Sequence, residues 1–351
     1  MVDPTMASRR SGLHLLAALL CLAAGLARVS AAEVISFLNG DLARAAIIDE
    51  SIEPYFSRLE PREMAAKSGS VLPGSNVEEQ RSACRLRYQQ AVQDFTADEQ
   101  RILRAAIATL SPVVARYPLY ASQPWSFIKL AASFEGGMPH TRGQSIVLSD
   151  RMIRSFKAMG GESNFYGPSI LAHEQLHVIQ RLHPEPFAHL YTATWGFLRL
   201  PHAPVPTAEQ LAHQIVNPDG IDAVWAFPLY QGPSVSWIQP QVVLNSQEPV
   251  PAMPGDFDEV AYPLVKSGDS FSYQKGADGE PLHQPLHDVA PYIKAFAPSD
   301  EIFHPNEIAA SLFSLLVLHD LTHDSSAEPQ SIAGLRRWAE TDLQLTPRRS
   351  P

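Results

Sequence analysis

The stretch "SILAHEQLHVIQRLHPEPF", residues 169–187, places His173 and His177 four positions apart, Glu174 directly after the first, and His183 six positions beyond the second. At about 100° per residue, two positions four apart on a helix return to within about 40° of each other. Both imidazoles then share one helix face and can reach one ion. Glu174 lies about 100° round the helix, beside the ion's bound water rather than on the ion, which is where a general base belongs. Ile170, Leu171, Leu176 and Val178 supply apolar residues at helical spacing, so the spacing predicts a packed helix over this stretch. Gly167-Pro168 opens that helix, and His183-Pro184 marks its end, because the residue before proline avoids helical geometry.

A catalytic zinc takes three protein ligands and leaves its fourth position to water or substrate. Two residues compete to be the third. His183 is the nearer in sequence. Continued as a helix, however, the chain points it about 120° away from His177. Glu307, in HPNEIAASLF (304–313), is the other: Pro305 sits in a first helical turn, and Ile308, Leu312, Leu315 and Leu316 form a packing face. Glu307 and Ser311 share a different face, four apart.

With His183 the pattern is similar to the metzincin sequence HExxHxxGxxH, with Gln180 where that family has glycine. With Glu307 it resembles the gluzincin zinc metallopeptidases, the thermolysin-like group, whose third ligand is the glutamate of an Asn-Glu pair opening a later helix. The gluzincin likeness spans Trp125 to Phe197 and Phe303 to Leu321. It implies an α+β fold with a zincin-like metallopeptidase core, in which a small sheet carries the HExxH helix and the glutamate helix. It also implies one zinc ion per chain held by His173, His177 and Glu307, with Glu174 as the base. The position four after the ligand glutamate is commonly acidic in that family and is Ser311 here, which adds no charge. The implied activity is peptide-bond hydrolysis on a peptide or protein substrate, with QSIVLS (144–149) as an edge to which an extended peptide adds.

The rest of the chain frames this motif. Its 351 residues and 45% hydrophobic content suffice for a substantial core. Arg9 and Arg10, the apolar run from Leu13 to Ala27 and the small residues ending in Ala31-Ala32 read as a secretory signal over about residues 1–31, too short for a membrane span. Its removal would take three arginines and one aspartate, moving the formal charge from −10 to −12. Such an acidic chain does not suit nucleic acid or anionic membrane as a partner, and no integral span is expected in the mature protein. Cys21 leaves with the signal, so Cys84 has no partner for an internal disulfide. The expected location is secreted or periplasmic.

Periodicity divides the remainder into an N-terminal helical region (32–120), the core with the HExxH helix (121–200), an inserted proline-rich lobe (201–299), and a glutamate helix followed by a C-terminal helix (300–351). TADE (96–99) is a capping box. WSFIKLAAS (125–133) and QSIVLS read as strands, as do QVVLN (241–245), DEVAYPLVK (258–266) and SFSYQ (270–274) in the lobe. Tyr191, Tyr230, Tyr262, His213 and Arg142 are candidate oxyanion donors. Trp225, Phe227, Tyr230 and Trp237 are either a cleft lining or a small core. His319 and His323, with Asp320 and Asp324 read as solvated, offer a weaker second metal motif. The competing class is a non-catalytic zincin-fold binding protein with a structural metal site, which has no need of Glu174.

Overall fold

In the computed structural model, which describes residues 34–158 and 165–345, five strands make a first sheet: β1 (Ile35–Phe37), β2 (Val92–Gln93), β3 (Trp125–Leu130), β4 (His140–Arg142) and β5 (Ser145–Ser149). The expected signal, 1–31, lies outside the described residues. The strand order is β1-β3-β5-β4, with β1, β3 and β5 parallel, β4 antiparallel to β5, and β2 antiparallel on β3. The runs WSFIKL and SIVLS are almost continuously apolar because both faces of this sheet are covered. Phe127, Ile146 and Leu148 face one core cluster, while Ile128, Leu130 and Val147 face another.

The second of those clusters belongs to α1 (Gly40–Ile47), α2 (Pro61–Ser68) and α3 (Val77–Ala91). The first is built by α4 (Ala97–Val114), α5 (Asp150–Ala158), α6 (Tyr166–Leu182), α7 (Ala290–Phe296), α8 (Pro305–Thr322) and α9 (Gln330–Asp342). The capping box forms at the start of α4, where the Thr96 side chain accepts the Glu99 N–H and Glu99 reaches back to the Thr96 N–H. Helices α6 and α8 carry the motif and Glu307, and they share the same apolar cluster: Leu171, Leu176, Leu312 and Leu316 are fully buried. Truncating any one of them to alanine costs about 2–5 kcal/mol by the usual cavity rule.

The lobe folds as a second, antiparallel sheet of β6 (Leu198–Arg199), β7 (Trp225–Gln231), β8 (Ser234–Leu244), β9 (Phe257–Ser267), β10 (Ser270–Tyr273) and β11 (Gln284–Pro285), in the order β10-β9-β8-β7-β6 with β11 on β9. The three strands expected there fall on β8, β9 and β10, with Asn245 and Gln274 just beyond the ends of β8 and β10. β7 is the aromatic stretch WAFPLYQ, and its Trp225 and Phe227 join the main core, where Phe227 meets the Tyr292 ring at 4.9 Å. The chain is thus an α+β protein. No described helix is long and apolar enough to cross a membrane.

Two expectations require correction. QSIVLS is not the edge of its sheet: β5 lies between β3 and β4, because Gly143, with φ +54°, turns the two-residue hairpin that folds His140–Arg142 back onto it. Asp320 is not a solvated carboxylate either, since Arg336 holds it at 2.8 Å and Arg116 at 3.2 Å.

Candidate metal centre

Helix α6 keeps its geometry to Leu182, and His183 leaves it with φ −135° and ψ 67°, as the restriction before Pro184 requires. His173 and His177 therefore stand one turn apart with ring centroids separated by 4.7 Å. Glu307 arrives from the first turn of α8. There Pro305 is the first helical residue and His304 caps the end by accepting the Asn306 N–H at 3.1 Å. The Nε2 atoms of His173 and His177 are 2.9 Å apart, and a Glu307 Oε2 lies 3.4 Å from the first and 3.2 Å from the second. Ligands about 2.0–2.1 Å from a tetrahedral zinc sit about 3.3 Å from one another. The three donors match that spacing, and two imidazoles plus one carboxylate are a donor set that suits zinc. Among the described residues these three are the group placed to hold a metal; neither His183 nor the His319 and His323 pair belongs to it.

Each of the three candidate ligands is held from behind. His177 Nδ1 donates to Gln180 Oε1 at 2.7 Å, which leaves Nε2 as the nitrogen turned to His173 and Glu307, and the Gln180 amide in turn donates to Tyr191 Oη and the Asn306 carbonyl, both at 3.0 Å. His173 Nδ1 faces the Glu301 carboxylate at 3.4 Å. Glu301 thus supplies the charge that Ser311 does not. Glu307 Oε1 accepts from Asn217 Nδ2 at 2.5 Å, so that Oε2 is the oxygen turned to the imidazoles.

Asn217 belongs to a tight turn, Asn217-Pro218-Asp219-Gly220, that is locked onto the start of α8. Asn306 Nδ2 donates to the Asp219 carbonyl at 2.7 Å, and His304 Nε2 meets the Asp222 carbonyl at 3.3 Å. A Cβ on Gly220 would fall 2.5 Å from the His304 ring, so only glycine lets the two turns touch. These residues were missed in the sequence, although N-P-D-G is a turn signature and Gln180 lies within one-turn reach of His177.

Glu174 is buried, and its Oε2 has no hydrogen-bond partner. Burial, opposed by His173 and reinforced by Asp219, Glu307 and Glu301, holds its carboxyl well above the ordinary carboxylate range. Burial alone would lower the two imidazoles. Glu301 and Glu307 outweigh it at His173, and Glu307 with Asp219 outweighs it at His177, pushing both up to about 9. Burial would raise Glu307, but His177 and His173 keep it well below its usual value.

His173, Glu174 and Glu307 open onto a cleft of about 590 Å³, a volume suited to a drug-sized ligand. His140, Asn217 and Glu259 also line it. None of the five proposed oxyanion donors does. Tyr191 is buried behind Gln180, Tyr230 is 74% exposed, and Arg142 is buried against Glu135; Tyr262 and His213 lie elsewhere on the lobe, with His213 bonded to the Leu244 carbonyl. No protein family, curated protein or solved structure matches this chain. The resemblance therefore stands on these residues alone.

Proposed function

We propose that the chain is an exported, zinc-dependent hydrolase that cleaves peptide bonds on a zincin-like core. His173, His177 and Glu307 are the ligands of one zinc ion, and Glu174 is the general base. The observation that carries this reading is the convergence of two imidazole Nε2 atoms and one carboxylate oxygen, from two helices 130 positions apart in sequence, within 4.8 Å of one another. When bound, zinc supplies Lewis acidity towards a carbonyl and brings the pKa of a coordinated water towards neutrality.

The chain's own residues do the rest. Gln180 and Glu301 fix the imidazole orientations, and Asn217 fixes the carboxylate oxygen that faces them. Glu174 takes a proton from the attacking water and passes it to the departing amine, and a carboxyl whose pKa is lifted by burial suits both halves of that transfer. Three protein ligands leave a position open, which a closed structural site does not. The orphaned Glu174 Oε2, on the wall of the cleft, further favours catalysis over the binding-protein reading. Glu174→Gln separates the two: zinc content is retained, while turnover on a peptide library falls about 10²–10⁴-fold. Unchanged turnover, or no turnover by the zinc-loaded native chain on any peptide, contradicts the proposal.

A further inference from the structure

An extended peptide docks on a sheet by pairing with the backbone groups of an edge strand. The edge beside the cleft is β4, and it is already occupied. In the two-residue hairpin that joins β4 to β5, Arg142 and Ser145 form the closing pair, so Thr141 turns its N–H and C=O away from β5. The Thr141 N–H donates to Asp219 Oδ1 at 2.9 Å, and its hydroxyl donates to the same oxygen. The Thr141 carbonyl accepts from Arg142 Nη1 at 3.0 Å. Arg181, one turn beyond His177, holds the closure from below: Nη1 donates to the Thr141 hydroxyl at 2.8 Å and to the Gly143 carbonyl at 3.1 Å, while Nη2 donates to the Pro218 carbonyl at 2.9 Å. Pro139, at the other end of the edge, has no N–H to offer.

The closing side chain is buried, and its own backbone is bonded to the glutamate helix through Asn306. The turn that positions the metal's carboxylate is thus the same turn that fills the strand-docking edge. Resting on the hydrolase reading, we propose that Asp219 is a specificity-determining residue: it closes β4 against strand addition, so the cleft takes short peptides of a few residues and rejects the interior of an extended polypeptide.

Two measurements on the zinc-loaded full chain test this. The first is affinity for N-acylated peptide hydroxamates of one, three and six residues, which grip the metal whether or not turnover occurs. Affinity rises from one residue to three and changes less than threefold from three to six. A gain of tenfold or more from three to six residues, as successive backbone pairs would give, overturns the proposal. The second is hydrogen exchange at the Thr141 amide, read by fragment-resolved mass spectrometry without any peptide present. That amide is protected in the native chain and in Asp219→Asn, which keeps an acceptor oxygen, and exchanges at least tenfold faster in Asp219→Ala. Exchange in the native chain at the rate of an unbonded surface amide, or no change in Asp219→Ala, overturns the closure. If no hydroxamate of any length binds, the metal reading falls, and the Thr141 amide still decides whether the edge is closed.

Discussion

Two buried clusters of ionisable side chains line the same cleft, and they are built on opposite principles. In the first, Lys67 lies 3.1 Å from Glu63 and 3.8 Å from Glu135, and Arg142 lies 3.0 Å from Glu135. Two cations meet two carboxylates, and the Tyr55 and Tyr88 hydroxyls donate to Glu135 at 2.9 and 2.6 Å. In the second, Glu174 and Glu307 are buried and Glu301 is half-exposed at the rim; the cationic partners within reach are the imidazoles of His173 and His177, and among the described residues no lysine or arginine pairs with these carboxylates. A buried charge is tolerated when it is paired and hydrogen-bonded. The first cluster is complete as it stands; the second carries an excess of carboxylates that a cation, or protons in its place, would balance.

The balanced cluster also serves the unbalanced one. Glu63 Oε1 accepts the Val216 N–H at 2.6 Å and Lys67 Nζ donates to the Val216 carbonyl at 2.7 Å, which pins the backbone immediately before Asn217. Breaking the first cluster gives the largest expected effect on stability. Lys67→Met strands the buried Glu63, which burial already pushes up to about 7 even with Lys67 alongside, and leaves Glu135 with Arg142 and the two tyrosine hydroxyls. Urea unfolding of that variant should show a loss of about 3–5 kcal/mol, and a loss within experimental error would mean that the pair is not what holds this wall.

The unbalanced cluster should respond to protons instead. Burial lowers both imidazoles, but the facing carboxylates more than reverse it and push them up to about 9, so below that pH a bound metal would have to displace protons. On the zinc reading, affinity should therefore fall as pH falls and rise with pH until about 9. Competition titrations between pH 6 and 8 should show a change of about tenfold per unit or more, and a flat profile would show that the imidazoles are not proton-loaded. Smaller again is the orienting effect of Gln180. Gln180→Ala should weaken zinc by about 10–100-fold alongside a stability loss of about 1–3 kcal/mol from the hydrogen bonds it leaves unmade, whereas a loss of stability without a loss of affinity would reassign that residue to the core.

The same contrast explains what the sequence made legible. The motif helix, α8 and its Glu307 could be read because both helices are regular, and regular spacing says which side chains share a face. The strands WSFIKL and SIVLS could be read because burial on two faces leaves an uninterrupted apolar run. β1 and β4 could not: Ile-Ser-Phe and His-Thr-Arg are three residues long and carry no pattern, and their pairing is set by partners far along the chain. Asn217 and Asp219 were hidden for a related reason. Their roles come from a turn folded against α8 some 90 positions later, where local rules mark a turn but not what it touches. Glu301 sits four positions before the helix, so the expected place for the acidic partner, Ser311, was on the wrong side of the ligand. The lobe's β7 looked like a loose aromatic group, since Pro228 interrupts a strand whose length is otherwise clear.

The decisive measurement is zinc bound per chain, by elemental analysis after exhaustive dialysis of the native protein, Glu307→Ala and His183→Ala. One ion is expected in the native chain and in His183→Ala, and a large loss in Glu307→Ala. Equal zinc in Glu307→Ala and the native protein, or none in either, would contradict the zinc reading.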